Sequence, residues 1–186
     1  MNYDRTRATI SIIGVLACLG PSAVAAEQTP DQVVFNYLRA LYVLPTQRSF
    51  NSPQYPDQTY CAAYALLSQK TQGLVSAQDF LSYARNTLGT LMDVDLSDPR
   101  VESDQATLRA KFVVRQYALT FPFFGQFDRV GNEIHLEFFK LVKESAGWRI
   151  NLDDEQLALV AAKAKGYRDI VAKDVRFGLP PASCGS

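Results

Sequence analysis

The chain has 186 residues, 47% of them hydrophobic, and its 19 Lys and Arg balance its 19 Asp and Glu. That is enough apolar material for one buried core. The charge balance leaves no global field for nucleic acid or anionic lipid, and no long basic run restores one.

Arg5 and Arg7 precede an apolar run from Ile10 to Leu19, and Pro21 breaks the helix ahead of Ala23-Val24-Ala25. Positive, apolar and small residues in that order form the layout of an export signal cleaved after Ala25. The run is too short to span a bilayer, which needs roughly 20 apolar residues. Val15-Leu16-Ala17-Cys18 also reads as a lipobox, with a lipid on Cys18 as the alternative outcome. The expectation is a signal peptide over 1–25 and a single periplasmic or secreted domain over 26–186, with no membrane span. Losing Asp4, Arg5 and Arg7 changes the net charge by one unit.

Cys61 and Cys184 then remain. In an oxidising compartment an even pair is most simply a disulfide, here tying the tail Leu-Pro-Pro-Ala-Ser-Cys-Gly-Ser to an early helix. There is no Cys-x-x-Cys, and one histidine with two distant cysteines makes no zinc set. Neither a metal nor a cofactor is expected.

Thr29-Pro30-Asp31-Gln32 opens the first helix: threonine caps, proline takes the first helical position and Gln32 completes a capping box. Val34, Tyr37, Leu38, Leu41 and Leu44 recur at helical spacing until Pro45. A proline-rich loop holding Tyr55 follows, then a helix from about Tyr60 to Lys70 that ends near Gly73. Ser76 caps a third helix with Phe80, Leu81, Ala84 and Leu88 as its apolar stripe.

The period then changes to two. Leu108, Ala110, Phe112 and Val114 point one way, and Arg109, Lys111 and Arg115 the other. Thr90–Val94, with Arg100–Glu102, suggests an earlier strand or strand pair. Phe121 to Asn132 is expected to be a turn region, followed by a hairpin of 134–142 with 148–151 about a Ser-Ala-Gly turn. Asp153 opens a last helix lined by Leu157, Val160, Ala161, Ala164, Tyr167 and Val171. Its lysines, Lys163 among them, are expected to form a solvated face. Helices grouped before strands argue for an α+β domain: three N-terminal helices on an antiparallel sheet of about four strands, plus a C-terminal helix.

The stretches Ala62-Ala63-Tyr64-Ala65-Leu66-Leu67-Ser68 and Ser76-Ala77-Gln78-Asp79-Phe80 are joined downstream by Phe139-Lys140-Leu141-Val142-Lys143-Glu144 and Gly147-Trp148-Arg149-Ile150. Together they resemble the nuclear transport factor 2-like superfamily, in particular its exported bacterial members, over roughly Thr29 to Asn151 as a pattern. That resemblance implies a strongly curved sheet wrapped round a helix, a cone-shaped cavity and frequent sheet-to-sheet homodimers. It implies no single chemistry, because the superfamily holds isomerases and dehydratases beside non-catalytic binding and assembly domains.

His135 and Glu137 are the candidate catalytic pair. By alternation they share a face with Phe139 and Leu141, which the resemblance places inward, so an imidazole and a carboxylate would line the cavity as acid and base. The alternatives pair them across the strand with Arg109, Lys111 or Arg115, or reverse the phase and put Ile134, Leu136 and Phe138 inside. Asp93, Asp95 and Asp98 lack the glycine and glutamate of a calcium loop. Phe121, Phe123, Phe124 and Phe127, with Tyr55 and Tyr60, are the candidate ligand or partner surface: a lid, a sticky patch or a satellite core. The expectation is an exported non-enzymatic domain binding a small apolar ligand or an envelope protein. The alternative is a cavity enzyme of the isomerase or dehydratase type using His135 and Glu137.

Overall fold

The computed structural model describes residues 27–49, 52–120, 126–173 and 184. The expected export signal and Phe121, Phe123 and Phe124 lie outside them, as do the side chains of Phe127 and its neighbours. The order is α1 (Pro30–Leu41), β1 (Thr46–Ser49), β2 (Ser52–Gln54), α2 (Asp57–Ala65), α3 (Gln69–Leu74), α4 (Ala77–Arg85), β3 (Gly89–Leu96), β4 (Arg100–Glu102), β5 (Gln105–Thr120), β6 (Gln126–Glu144), β7 (Gly147–Asn151) and α5 (Asp154–Lys173). The fold is α+β, with a five-stranded antiparallel sheet in the order β3-β5-β6-β7, β4 also pairing with β5.

α1 starts where its capping residues place it, and the Thr29 amide donates to Gln32 Oε1 at 3.1 Å. Its buried stripe is Val33, Val34, Tyr37, Leu38 and Leu41. The helix crosses the inner side of the sheet, touching β3, β5 and β7. The proline-rich loop contains the small ribbon β1–β2.

The single helix expected over 60–70 is in fact two, α2 and α3. Between them the chain serves the edge of β7: the Ser68 amide donates to Ile150 O at 2.8 Å, and the Ile150 amide to Leu66 O at 2.9 Å. An edge strand carries unpaired backbone groups, and Leu66–Ser68 satisfies some of them by leaving the helix. Ser68 then caps α3, its hydroxyl accepting from the Thr71 amide at 3.1 Å. Ser76 caps α4 in the same way through the Asp79 amide, also at 3.1 Å.

The sheet has five strands rather than about four, and its central strands are longer than the expected turn region allowed. β5 reaches Thr120 and β6 begins at Gln126, so Phe127 lies in a strand opposite Leu119. Register shifts at Leu91/Asp93 and Gln116/Tyr117 mark bulges, which bend a strand and raise its local twist. Gly89 lets β3 close on β5, since a Cβ there would sit 2.4 Å from Val114 Cγ1 and 3.2 Å from the Tyr42 ring. Gly147, at φ +98, supplies the left-handed residue at the start of β7.

Alternation sorts the sheet cleanly. Ala106, Leu108, Ala110, Phe112 and Val114 of β5 are buried, as are Phe139 and Leu141 of β6. Phe139 stands edge-on to Tyr37 of α1, ring centroids 6.2 Å apart, and Tyr37 in turn lies 6.4 Å from Phe80 of α4. The inner face here is filled by aromatic core. α5 packs mainly on α4. Cys61 of α2 and Cys184 form the expected disulfide, Cα atoms 5.3 Å apart across 123 residues of sequence.

Candidate functional site

The register places Phe112 opposite His135 and Ala110 opposite Glu137. Both candidate residues therefore point to the inner face, in phase with Phe139 and Leu141. The cationic side chains of β5 lie on the other side: Arg109 opposes Phe138 and Lys111 opposes Leu136. No cross-strand pairing to them explains His135 or Glu137.

His135 lies parallel on Phe112, ring centroids 4.9 Å apart and planes within 7°. Tyr42, at the end of α1, closes on it from 6.2 Å. Its two nitrogens each face a carboxylate: Nε2 is 3.5 Å from Glu133 and Nδ1 3.9 Å from Glu137. Nε2 is buried and has no hydrogen-bond partner among the described residues. The side chains of His135 and Glu137 remain 21% and 34% exposed, so the cluster is reached from solvent.

α5 adds what the sequence reading missed. Burial is the main cause that pushes the Lys163 amine below 10.5, while Glu133 and Glu137 pull it back up. The ammonium sits 6.0 Å from the Tyr83 ring, and the Lys163 carbonyl accepts from Asn86 Nδ2 at 2.9 Å, tying this turn of α5 to α4. Lys163 is thus half-buried beside the candidate pair and not part of a solvated face. Burial likewise lowers His135 from 6.5, with Glu133 opposing and Lys163 adding. Burial raises Glu137 from 4.5, against Lys163 and with Asp153. Each of the three groups is moved toward its neutral form, a pattern concentrated at functional sites.

The helical wheel held a clue to Lys163. At about 100° per residue it stands roughly 60° from Val160 and 40° from Tyr167, inside the apolar stripe. Glu133 follows from period two once β6 is known to begin before residue 134.

Tyr55 and Tyr60 belong to the core. Tyr60 is fully buried and donates to Val43 O at 2.8 Å. Tyr55 packs edge-on to Tyr167 at 5.9 Å and under the Arg85 guanidinium at 5.2 Å. Arg85, 5% exposed, holds Asp57 through two contacts of 3.0 and 2.6 Å. This is a structural clamp joining α2 to α4, with its partner ring on α5. Neither tyrosine is presented to a ligand or a partner.

Two further features were not foreseen. A groove of about 850 Å³ runs between α1 and β3, lined by Phe35, Arg39, Tyr42, Leu91, Met92 and Val94 among others. The outer face of β6 exposes Ile134, Leu136 and Phe138 at 68%, 59% and 65%. Among the described residues, no group of three or more His, Cys, Asp or Glu converges on a metal position, and no helix is long and apolar enough to cross a membrane.

No family model matches the chain, and neither does any curated protein. Among solved structures it is similar to a variant of Rv3472, a function unknown protein from Mycobacterium tuberculosis. That match has 17% identity and a TM-score of 0.34, over 61% of this chain and 84% of that one. It is similar also to RPA3114, a SEC-C motif containing protein from Rhodopseudomonas palustris. Here the identity is 16% and the TM-score 0.33, over 56% of this chain and 79% of that one. Likenesses of this size carry no weight for function.

Proposed function

We propose that this is an exported, non-enzymatic domain of the nuclear transport factor 2-like type that works by docking a protein on the outer face of its sheet. The observation that carries the reading is the row Ile134, Leu136 and Phe138, three large side chains side by side, each more than half exposed. Contiguous apolar surface of this kind on a water-facing sheet marks an interaction site. The helices before the sheet and the two bulges support the resemblance, and the disulfide suits an oxidising compartment outside the cytoplasm.

The partner is a second copy of the chain. The face carries charges of both signs in adjacent rows: Asp93 and Asp95 on β3, Arg109, Lys111 and Arg115 on β5, with Lys111 opposite both Asp95 and Leu136. A two-fold copy of such a face stacks the apolar row on its own counterpart and brings both signs with it, whereas a partner of one strong sign would meet a row of its own sign. The double substitution Leu136→Ser and Phe138→Ser is the test. It should halve the sedimenting mass while leaving the thermal transition in place, and an unchanged mass would reject the face as the interface.

A second reading, acid–base chemistry by His135 and Glu137, is favoured by one observation: both point inward, next to a half-buried lysine. It predicts turnover that disappears in His135→Gln. A substrate turned over equally by that variant would remove the reading.

A further inference from the structure

β3 is an edge strand. The sheet runs β3-β5-β6-β7, and among the described residues no strand pairs with the far side of β3. An edge of this kind is a template for another chain. Two of its amides bond elsewhere than to β5: Leu91 N lies 3.4 Å from Tyr42 O, and Val94 N donates to the exposed carboxylate of the adjacent Asp93 at 3.0 Å. Tyr42, Val43 and Leu44 line the groove at the Leu91 end. Past that end Met92, Val94 and Leu96 line it in turn.

The groove also extends beyond its main chamber. The 850 Å³ between α1 and β3 adjoins a further 590 Å³ toward the start of the helix, the two sharing Phe35, Asn36 and Val94. Asp31, Phe35 and Arg39 follow one another along the α1 wall, on a single stripe of the helix. The stripe presents an anion, an aromatic ring and a cation at steps of about 6 Å, four helical residues at about 1.5 Å each. Among the described residues neither Asp31 nor Arg39 has an ion-pair partner. Both charges also suit the helix dipole, standing in its first and last turns. The dipole gives no reason for the ring between them. Phe35 is 41% exposed and Met92 46%, so large apolar side chains meet solvent on both walls.

We infer that this groove takes an extended peptide segment of a partner protein, which adds to the edge of β3 and sets alternate side chains, one basic, one apolar and one acidic, against Asp31, Phe35 and Arg39. Alternate residues of a strand are about 6.6 Å apart, so side chains two apart on a peptide match helical residues four apart. Main-chain bonds to β3 supply affinity, and the three side chains supply selection. A second copy of β3 is a poor occupant, because it brings Asp93 and Asp95 against their own counterparts. A small apolar molecule leaves both charges unanswered. The inference goes beyond self-docking of the outer sheet face, since it concerns a different surface.

The probes are three acetylated and amidated pentapeptides: Lys-Thr-Leu-Thr-Glu, Lys-Thr-Leu-Thr-Lys and Glu-Thr-Leu-Thr-Glu. Each is titrated into the whole protein while the backbone amides are followed by NMR. The first should give saturable shifts centred on residues 92–96 and Phe35. It should bind about threefold more tightly than either of the others, each of which sets a like charge against one end of the stripe. Phe35→Ser, at an exposed position, should weaken it about fivefold through apolar area no longer covered. Arg39→Glu should change the order and make Lys-Thr-Leu-Thr-Lys the tightest of the three, a gain that damage to the fold would not produce. Equal binding of the three peptides, shifts confined to Ile134, Leu136 and Phe138, or no saturable shift in β3 would each overturn the inference. So would an unchanged order in the Arg39→Glu protein.

Discussion

His135 rests flat on Phe112, one strand over, with ring centroids 4.9 Å apart. The stack covers one imidazole face with hydrocarbon, and burial is the main reason that its pKa falls below 6.5. A base that is harder to protonate in the folded chain than in the unfolded one costs stability as it is acidified. His135 should therefore leave stability flat above the unfolded value, near 6.5, and reduce it as pH drops through the folded value. NMR titration of the single histidine gives that folded value directly, and a result at or above 6.5 would contradict the burial described.

Glu137 should work in the opposite sense. Its carboxyl is raised from 4.5, again chiefly by burial, so the folded chain holds this proton more tightly than the unfolded one. Its contribution is fully present below 4.5 and is lost as pH rises through the folded value. The two slopes oppose each other in the wild type. Glu137→Gln should leave only the histidine's rise with pH, and His135→Gln only the glutamate's fall. Urea unfolding across the acid range checks both, and parallel curves for the two variants would refute the coupling.

Asp57→Ala should destabilise the fold by about 3 kcal/mol or more, because it leaves the Arg85 guanidinium buried without its anion. Arg85 is only 5% exposed, and its two contacts to Asp57 are 3.0 and 2.6 Å. Replacing both residues by apolar ones of similar size should recover part of that loss. Denaturant midpoints of the single and double variants decide the point, and a loss below 1 kcal/mol (roughly the value of a surface pair) would demote the clamp.

Changing Cys61 and Cys184 together to Ser should cost about 4–5 kcal/mol on the chain-entropy view, since the bond spans 123 residues. Comparing the oxidised protein with the double variant in urea measures this. A negligible difference would show that the α2 region and the tail are held together without it.

The parts of the fold set by local chemistry were readable in the chain. Thr29-Pro30 and Ser76 start helices where expected, period two gave the shared buried side of Phe112 and Val114, and the resemblance gave the inward phase of Phe139 and Leu141. What escaped depends on contacts distant in sequence. Leu67 leaves its helix because Ile150, far along the chain, offers an unpaired edge, and no local signal records that demand. Lys163 was assigned to solvent by its charge, although its angular position lies within the buried stripe. Tyr60 was a candidate for a lid, a sticky patch or a satellite core, and the choice depends on a distant carbonyl, Val43 O, to which its hydroxyl donates. The row Ile134, Leu136, Phe138 was legible only as an alternative inward phase. Its exposure is a property of the whole sheet.

That row is where the account is most open to refutation. Sedimentation of the oxidised protein over a wide concentration range should show a species of twice the chain mass that dissociates on dilution. A particle of single-chain mass at every concentration would contradict self-docking and leave Ile134, Leu136 and Phe138 waiting for a different partner.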